Sequence, residues 1–117
     1  MTSNKFVSCL RSVVVEENMA LYQQIFSSTP ADNASDPYWR RALSLFNDLG
    51  PEQQGVLFEV MRQVAVDTTS NILGVIDGVN ALNGVDEQFE LCSKEGGKLN
   101  GDLQSLFLAE EEKALQG

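Results

Sequence analysis

Residues 51–82 read PEQQGVLFEVMRQVAVDTTSNILGVIDGVNAL and hold the longest helical pattern in the chain. Apolar residues and one threonine recur there at steps of three and four, which predicts a single long helix. They are Leu57, Val60 or Met61, Val64, Thr68, Ile72, Val75, Val79 and Leu82. Five weak helix formers at residues 66–70 could interrupt this helix, but the pattern keeps its phase across them. We therefore expect a continuous helix at the centre of the fold.

The helix before it has clear start and stop signals. Ser35 or Asp36 can cap its N-terminus, and Pro37 suits the first helical position. Its predicted apolar face consists of Trp39, Leu43 and Phe46. Gly50 is predicted to end it in a left-handed conformation, and Pro51 prevents its continuation. A pair between Asp36 and an arginine four residues later is also expected.

The first helix is predicted from Ser3 to about Ser27, with Thr2 or Ser3 as its cap. The residues that share its apolar face are Val7, Leu10, Val14, Leu21 and Ile25. The β-branched run at residues 13–15 lowers helix propensity, so a bend or split near residues 15–18 is an alternative to an even helix. A surface loop is expected over residues 28–36, which are rich in turn formers.

The segment after the long helix predicts a β-hairpin and then a last helix. Phe89-Glu90-Leu91 alternates like a strand, residues 94–97 are turn formers, and residues 98–100 could pair back. Asp102 is the predicted N-cap of a helix whose inward residues are Leu103, Leu106 and Phe107. The predicted fold is mostly α: a single domain over residues 1–117, with four helices in an orthogonal or bundle-like arrangement and a small hairpin between helices 3 and 4.

Composition excludes several classes of function. The chain has 117 residues, 17 acidic and 8 basic side chains, a net charge of −9 and no histidine. This charge disfavours nucleic acid and anionic membranes, which bind clustered Lys and Arg. No apolar run is long enough to span a membrane, and no signal peptide is apparent. We expect a cytoplasmic protein that is not an enzyme, with no metal and no cofactor.

Small clusters offer weaker hypotheses. Asp67 and Asp77 lie in the most apolar helix, but ten residues place them about 80° apart around its axis and about 15 Å apart along it, so they cannot form a carboxylate pair. A catalytic or small-molecule pocket using either one beside Gly74 is one alternative function. Ser70, Gly74 and Gly78 form a line of small residues that predicts close packing of another helix. Both cysteines, Cys9 and Cys92, are expected to be packing residues.

Charge is distributed unevenly along the chain. Residues 1–63 carry seven acids and five bases, a balance of −2, whereas residues 64–117 carry ten acids and three bases, a balance of −7. Three of these acids lie near a helix C-terminus, where they oppose the helix dipole. The candidate partner-binding residues are Asp86, Glu87, Glu90, Glu95, Glu110, Glu111 and Glu112. The alternative is a merely solvated acidic face.

The leading functional hypothesis is a small acidic protein-binding module. Its partner would be a basic protein, and an inhibitor or immunity-type protein that blocks a nucleic-acid-active enzyme is one form of it. A structural subunit is the remaining alternative, in which an exposed apolar helix face completes a homodimer. The sequence does not distinguish an apolar stripe that faces inward from one that faces a partner.

Overall fold

The computed structural model describes all 117 residues. About 70% of them are helical, in four helices with no β-sheet, so the prediction of a mostly α domain with four helices is confirmed. Helix α1 consists of Ser3–Arg11, the π-helical stretch Ser12–Glu17 and Asn18–Ser28. Helices α2, α3 and α4 span Pro37–Asp48, Pro51–Asp77 and Leu103–Gln116.

The π-helical stretch in α1 lies at the run of valines that weakens helix propensity. The backbone N–H of Asn18 donates to the carbonyl of Val13, five residues earlier, and such a turn holds one residue more than an α-helical turn. The residues after this stretch are therefore rotated about the helix axis, and the apolar faces of the two halves of α1 point in different directions. Val7 and Val15 are fully buried in the first half, but Leu21 is 51% exposed. The prediction that Leu21 lies on the same buried face as Val7 is wrong because of this offset.

Helix α2 begins as predicted. The Asp36 carboxylate accepts a hydrogen bond from the backbone N–H of Tyr38 at 2.9 Å, and Pro37 is the first helical residue. The expected pair of Asp36 with Arg40 does not form, since the Arg40 guanidinium donates to the Ala34 carbonyl instead. Gly50 has φ −70° and ψ 165°, an extended conformation. It caps the start of α3 and is not left-handed, because α2 has already ended at Asp48 with Leu49 as its C-cap.

Helix α3 is continuous over 27 residues, through the weak helix formers at residues 66–70. It ends where Gly78 adopts a left-handed conformation with φ +82°. Glycine takes this conformation at little cost, whereas a residue with a side chain is strained in it. The predicted continuity of the helix is confirmed, but Val79 and Leu82, which the apolar pattern included, lie beyond its end.

The predicted hairpin after α3 is wrong. Residues 79–102 hold only two isolated bridges, Leu82 with Val85 and Cys92 with Lys98. One backbone bond, from the Leu99 N–H to the Leu91 carbonyl, joins the two predicted strands. The other backbone groups around Glu90 bond to one side chain: the Leu91 N–H donates to Asn100 Oδ1 at 2.7 Å, and Asn100 Nδ2 donates to the Phe89 carbonyl at 3.0 Å. The Asn100 amide thus occupies the place that a partner strand would take. We call residues 79–102 the acidic loop.

Two hydrophobic cores lie along α3. The first joins α1, α3 and α4 and contains Val7, Val15, Val66, Leu73, Leu103 and Phe107. The second joins α1, α2 and α3 and contains Phe26, Leu43 and Phe46, with Trp39, Phe58 and Met61 packed against them. The radius of gyration is 17.7 Å, compared with about 13 Å for a compact chain of this length. The domain is therefore elongated, with one core towards each end.

Candidate functional site

A network of four charged side chains links α1, α3 and α4. Arg62 donates to Glu111 through Nε at 3.1 Å and Nη2 at 2.8 Å, and Arg11 donates to the same carboxylate at 2.7 and 3.1 Å. Both arginines also reach Glu16, at 2.6 and 3.0 Å. Glu111 is 7% exposed. It is therefore part of the interior of the domain and not of a surface that a partner contacts.

The arginines set the ionisation of both glutamates. Burial by itself would raise the pKa of Glu111, but the hydrogen bonds and charges of Arg62 and Arg11 outweigh it, and its pKa lies below the usual value of 4.5. The hydrogen bond from Arg62 is the main cause of the lowered pKa of Glu16. The pKa of Arg62 is raised by its hydrogen bond to Glu111. The network therefore favours the fully charged state.

The other predicted partner-binding residues fall into two groups. Four of them lie exposed on the acidic loop and take part in no ion pair: Asp86, Glu87, Glu90 and Glu95. The remaining two are on α4, where Glu110 is half-buried and 3.9 Å from Lys113, and Glu112 is exposed. Four of the seven predicted residues are thus exposed on the acidic loop, whereas Glu111 is buried between the helices.

The acidic loop is fixed to the helices at several points. The Leu99 side chain is 6% exposed, and its N–H donates to the Leu91 carbonyl at 2.7 Å. Asn100 also donates to the carbonyl of Ile76 in α3 at 2.7 Å. Because the backbone on both sides of Glu90 is held in this way, the loop carboxylates project from an ordered segment.

A polar cavity of about 330 Å³ lies between the acidic loop and the end of α3. Its charged lining residues are Asp77, Asp86, Glu87 and Lys98. Asp77 is already engaged, since its two carboxylate oxygens accept from the backbone N–H groups of Gly101 at 2.7 Å and Gln104 at 2.8 Å. Asp102 is the N-cap residue of α4 as predicted, but its side chain makes no capping hydrogen bond, and the Asp77 carboxylate caps the helix instead.

Asp67 lies elsewhere. It is exposed and accepts a hydrogen bond from the Gln63 amide at 2.9 Å. It does not line the polar cavity that contains Asp77. The cavity is lined by Asp77 but not by Gly74, so it is not the predicted pocket beside Gly74.

The line of small residues on α3 is only partly close-packed. A Cβ at Gly74 would lie 2.3 Å from Asn80 Nδ2 and 2.8 Å from Gln104 Nε2, so this glycine admits two side chains. Gln104 Nε2 uses that space to donate to the Ser70 carbonyl at 3.0 Å. A Cβ at Gly78 would meet nothing within 4 Å. Close packing at Gly78 is therefore wrong, and at Gly74 the neighbours are side chains rather than backbone.

Both cysteines are exposed and unpaired. The expectation that Cys9 and Cys92 are packing residues is wrong. No group of three or more His, Cys, Asp or Glu side chains lies in a position to hold a metal ion. None of the helices has the length and the apolar content needed to cross a membrane.

An open apolar groove of about 660 Å³, which the sequence pattern did not predict, lies between α1, α2 and the first half of α3. Eleven of its 13 lining residues are hydrophobic, and Arg41 is the one charged residue among them. The lining residues are Asn18, Met19, Tyr22, Phe26, Tyr38, Arg41, Ala42, Leu45, Leu57, Val60, Met61, Val64 and Ala65. We call this surface the apolar groove.

The signal for the groove was present in the apolar pattern of α3. Val64 is 59% exposed, whereas Val66 is 5% exposed, and two residues are about 200° apart around a helix. The pattern that predicted the helix thus lies largely on its exposed side, opposite the face buried by the first core. A helix with apolar residues on every side is normally buried on every side.

Comparison with protein-family models, with curated proteins and with solved structures finds no significant match to this chain.

Proposed function

We propose that this protein is a non-enzymatic protein-binding module, carried on a bundle-like arrangement of helices, that binds a basic protein through its acidic loop. The observation that supports this proposal most directly is the set of four exposed carboxylates, none of them in an ion pair, on one ordered segment. Glu110 and Glu112 on α4 are further candidates for the contact, whereas Glu111 is not.

Order matters for binding because a pre-organised segment loses less conformational entropy when it meets a partner. Asn100 and Leu99 hold the acidic loop in the free protein. The polar cavity adds a recess in which Asp86 and Glu87 can receive a lysine or arginine side chain. Complementary charge of this kind speeds association and fixes orientation. An inhibitor or immunity-type protein for a nucleic-acid-active enzyme is the form of this function that we favour.

The test is affinity capture from an extract of the cells that contain the protein, with washes at low and high salt. A triple variant, Glu87→Gln, Glu90→Gln and Glu95→Gln, removes three charges from the acidic loop. The matched control, Glu17→Gln, Glu52→Gln and Glu59→Gln, removes three exposed charges from the other part of the chain.

A basic protein captured by the wild type and by the control, but lost from the loop variant, would support the proposal. With the purified partner, the loop variant should associate more slowly, and its association rate should depend less on salt. Equal association rates for the loop variant and the wild type at low salt would contradict the proposal, and the loop carboxylates would then only be solvated.

A further inference from the structure

The exposed surface of the chain is larger than that of a typical monomer. Its accessible area is 8076 Å², whereas a monomeric protein of this mass exposes about 6,300 Å². The difference is roughly 1,800 Å². Obligate homodimers bury about 2,000–5,000 Å² in total, or about half of that for each subunit. The excess is therefore of the size that one subunit of a stable dimer covers.

A row of exposed apolar residues follows the first half of α3. Val56, Val60 and Val64 are each more than half exposed, and they follow one another at steps of four residues, as a ridge does on a helix surface. The ridge extends about 12 Å along the helix. Val60 and Val64 also line the apolar groove, so the ridge forms one wall of the groove, and an apolar projection and an apolar recess share an edge on one surface.

Adjacent ridge and recess are the features that a two-fold interface needs. In such an interface both subunits use the same patch of surface. That patch must therefore contain both a projection and a recess that accepts the projection of the other subunit. Here the ridge of one chain can enter the groove of the other, and the reverse contact is identical by symmetry.

Charge favours a second copy over a basic partner at this surface. The chain carries a net charge of −9, but no carboxylate lines the apolar groove. A basic protein would find no opposite charge there, and its lysines or arginines would lose water without gaining an ion pair. Two copies of an acidic chain repel one another, but a contact at this surface, whose one charged lining residue is Arg41, brings no carboxylates of the groove against each other.

We propose that two copies of this chain form a dimer in which the Val56–Val60–Val64 ridge of each packs into the apolar groove of the other about a two-fold axis. The dimer leaves both acidic loops outside the contact. It goes beyond the proposed function and does not depend on it, because the two surfaces are made of different residues.

The test is the mass of the full chain in solution, measured by sedimentation equilibrium over a wide range of protein concentrations. The wild type should have twice the chain mass of 12.8 kDa. In the Val64→Glu variant each chain places a carboxylate in the contact, which should weaken dimerisation at least 100-fold, since charge burial without a partner is costly. Val64 is 59% exposed within the chain, so glutamate there is compatible with the folded monomer, and circular dichroism checks this.

Leu115→Glu is the matched control, because Leu115 is 70% exposed and does not line the groove. It should dimerise like the wild type. A wild type that stays monomeric at the highest concentration would overturn the dimer, even if another protein is captured through the groove. A Val64→Glu variant that dimerises as tightly as Leu115→Glu would also overturn it. Neither result bears on binding of a basic partner by the acidic loop.

Discussion

The Arg62 guanidinium donates to both oxygens of the Glu111 carboxylate, at 3.1 Å to Oε2 and 2.8 Å to Oε1. This two-point contact joins α3 to α4, and Arg11 adds α1 to the same carboxylate. The Glu111 carboxylate compensates the positive charge of both guanidinium groups. Its loss therefore leaves two partly buried cations whose charge is compensated by Glu16 alone.

The first prediction concerns the stability contributed by this network. Glu111→Gln should lower the free energy of unfolding by about 2–4 kcal/mol at neutral pH, because removal of one member of a buried ion pair leaves its partners uncompensated. Glu110→Gln is the control, since its pair with Lys113 is long and exposed, and it should cost less than about 1 kcal/mol. Urea unfolding of the three proteins measures both effects.

The second prediction concerns the pH dependence of the same network. The pKa values of Glu111 and Glu16 are lower in the folded protein than the usual 4.5. Their contribution to stability is therefore complete above about pH 4.5 and is lost as the pH falls through the folded-state values. The wild type should lose stability more steeply than Glu111→Gln as the pH falls below about 4.5. If the free energy of unfolding falls equally steeply with pH in the two proteins, other carboxylates dominate acid unfolding.

The third prediction separates the two glycines near the end of α3. Gly78→Asn should cost little and Gly78→Val more, by roughly 1–2 kcal/mol relative to asparagine, because Gly78 is left-handed and asparagine tolerates that conformation. Gly74→Leu should cost about 1–3 kcal/mol through overpacking against Asn80 and Gln104. If Gly78→Asn is as harmful as Gly78→Val in thermal unfolding, backbone conformation is not the constraint at Gly78.

Local signals in the sequence were sufficient for the helices but not for the contacts between them. Pro51 and Gly78 mark the ends of α3, and the Asp36 cap marks the start of α2, because these signals act within a few residues. The pairing of Glu111 with Arg11 and Arg62 joins positions 100 and 49 residues apart. A single sequence has no signal for such distant partners, so Glu111 resembled its exposed neighbours.

The hairpin prediction failed for a similar reason. Alternation in Phe89-Glu90-Leu91 predicts an extended backbone, which does not reveal what its hydrogen-bonding groups will meet. The Leu91 N–H is satisfied by the side chain of Asn100, a residue of the predicted second strand, and not by the backbone of that strand. The sequence also left open whether the apolar stripe of α3 faces inward or faces a partner. In the structure Val64 on this stripe is exposed, whereas Val66 and Leu73 on the other side of the helix are buried.

The fourth prediction concerns Asn100, which holds the acidic loop. Asn100→Ala removes the bonds to Leu91, Phe89 and Ile76, and each lost bond to a partly buried backbone group costs about 1 kcal/mol. Hydrogen exchange at the Leu91 amide should accelerate strongly, while exchange in the first core should change much less. Asn83→Ala, an exposed change in the same loop, is the control. Unchanged protection of Leu91 in Asn100→Ala would contradict this account of the loop.

The fifth prediction concerns Asp77, which caps α4 from the end of α3. Its oxygens accept from Gly101 and Gln104, and no side chain from α4 itself performs this role. Asp77→Ala should lower the free energy of unfolding by about 1–2 kcal/mol, in the upper range for a lost cap. Asp77→Asn keeps one acceptor oxygen and should cost roughly half as much. Backbone amide exchange should show the loss locally, with Gln104 less protected and the middle of α3 unchanged.

A negative charge near a helix N-terminus is also favourable in itself, so added salt should narrow the difference in stability between the wild type and Asp77→Asn. If Asp77→Ala is as stable as the wild type and Gln104 keeps its protection, Asp77 does not cap α4, and its carboxylate is then available to the polar cavity.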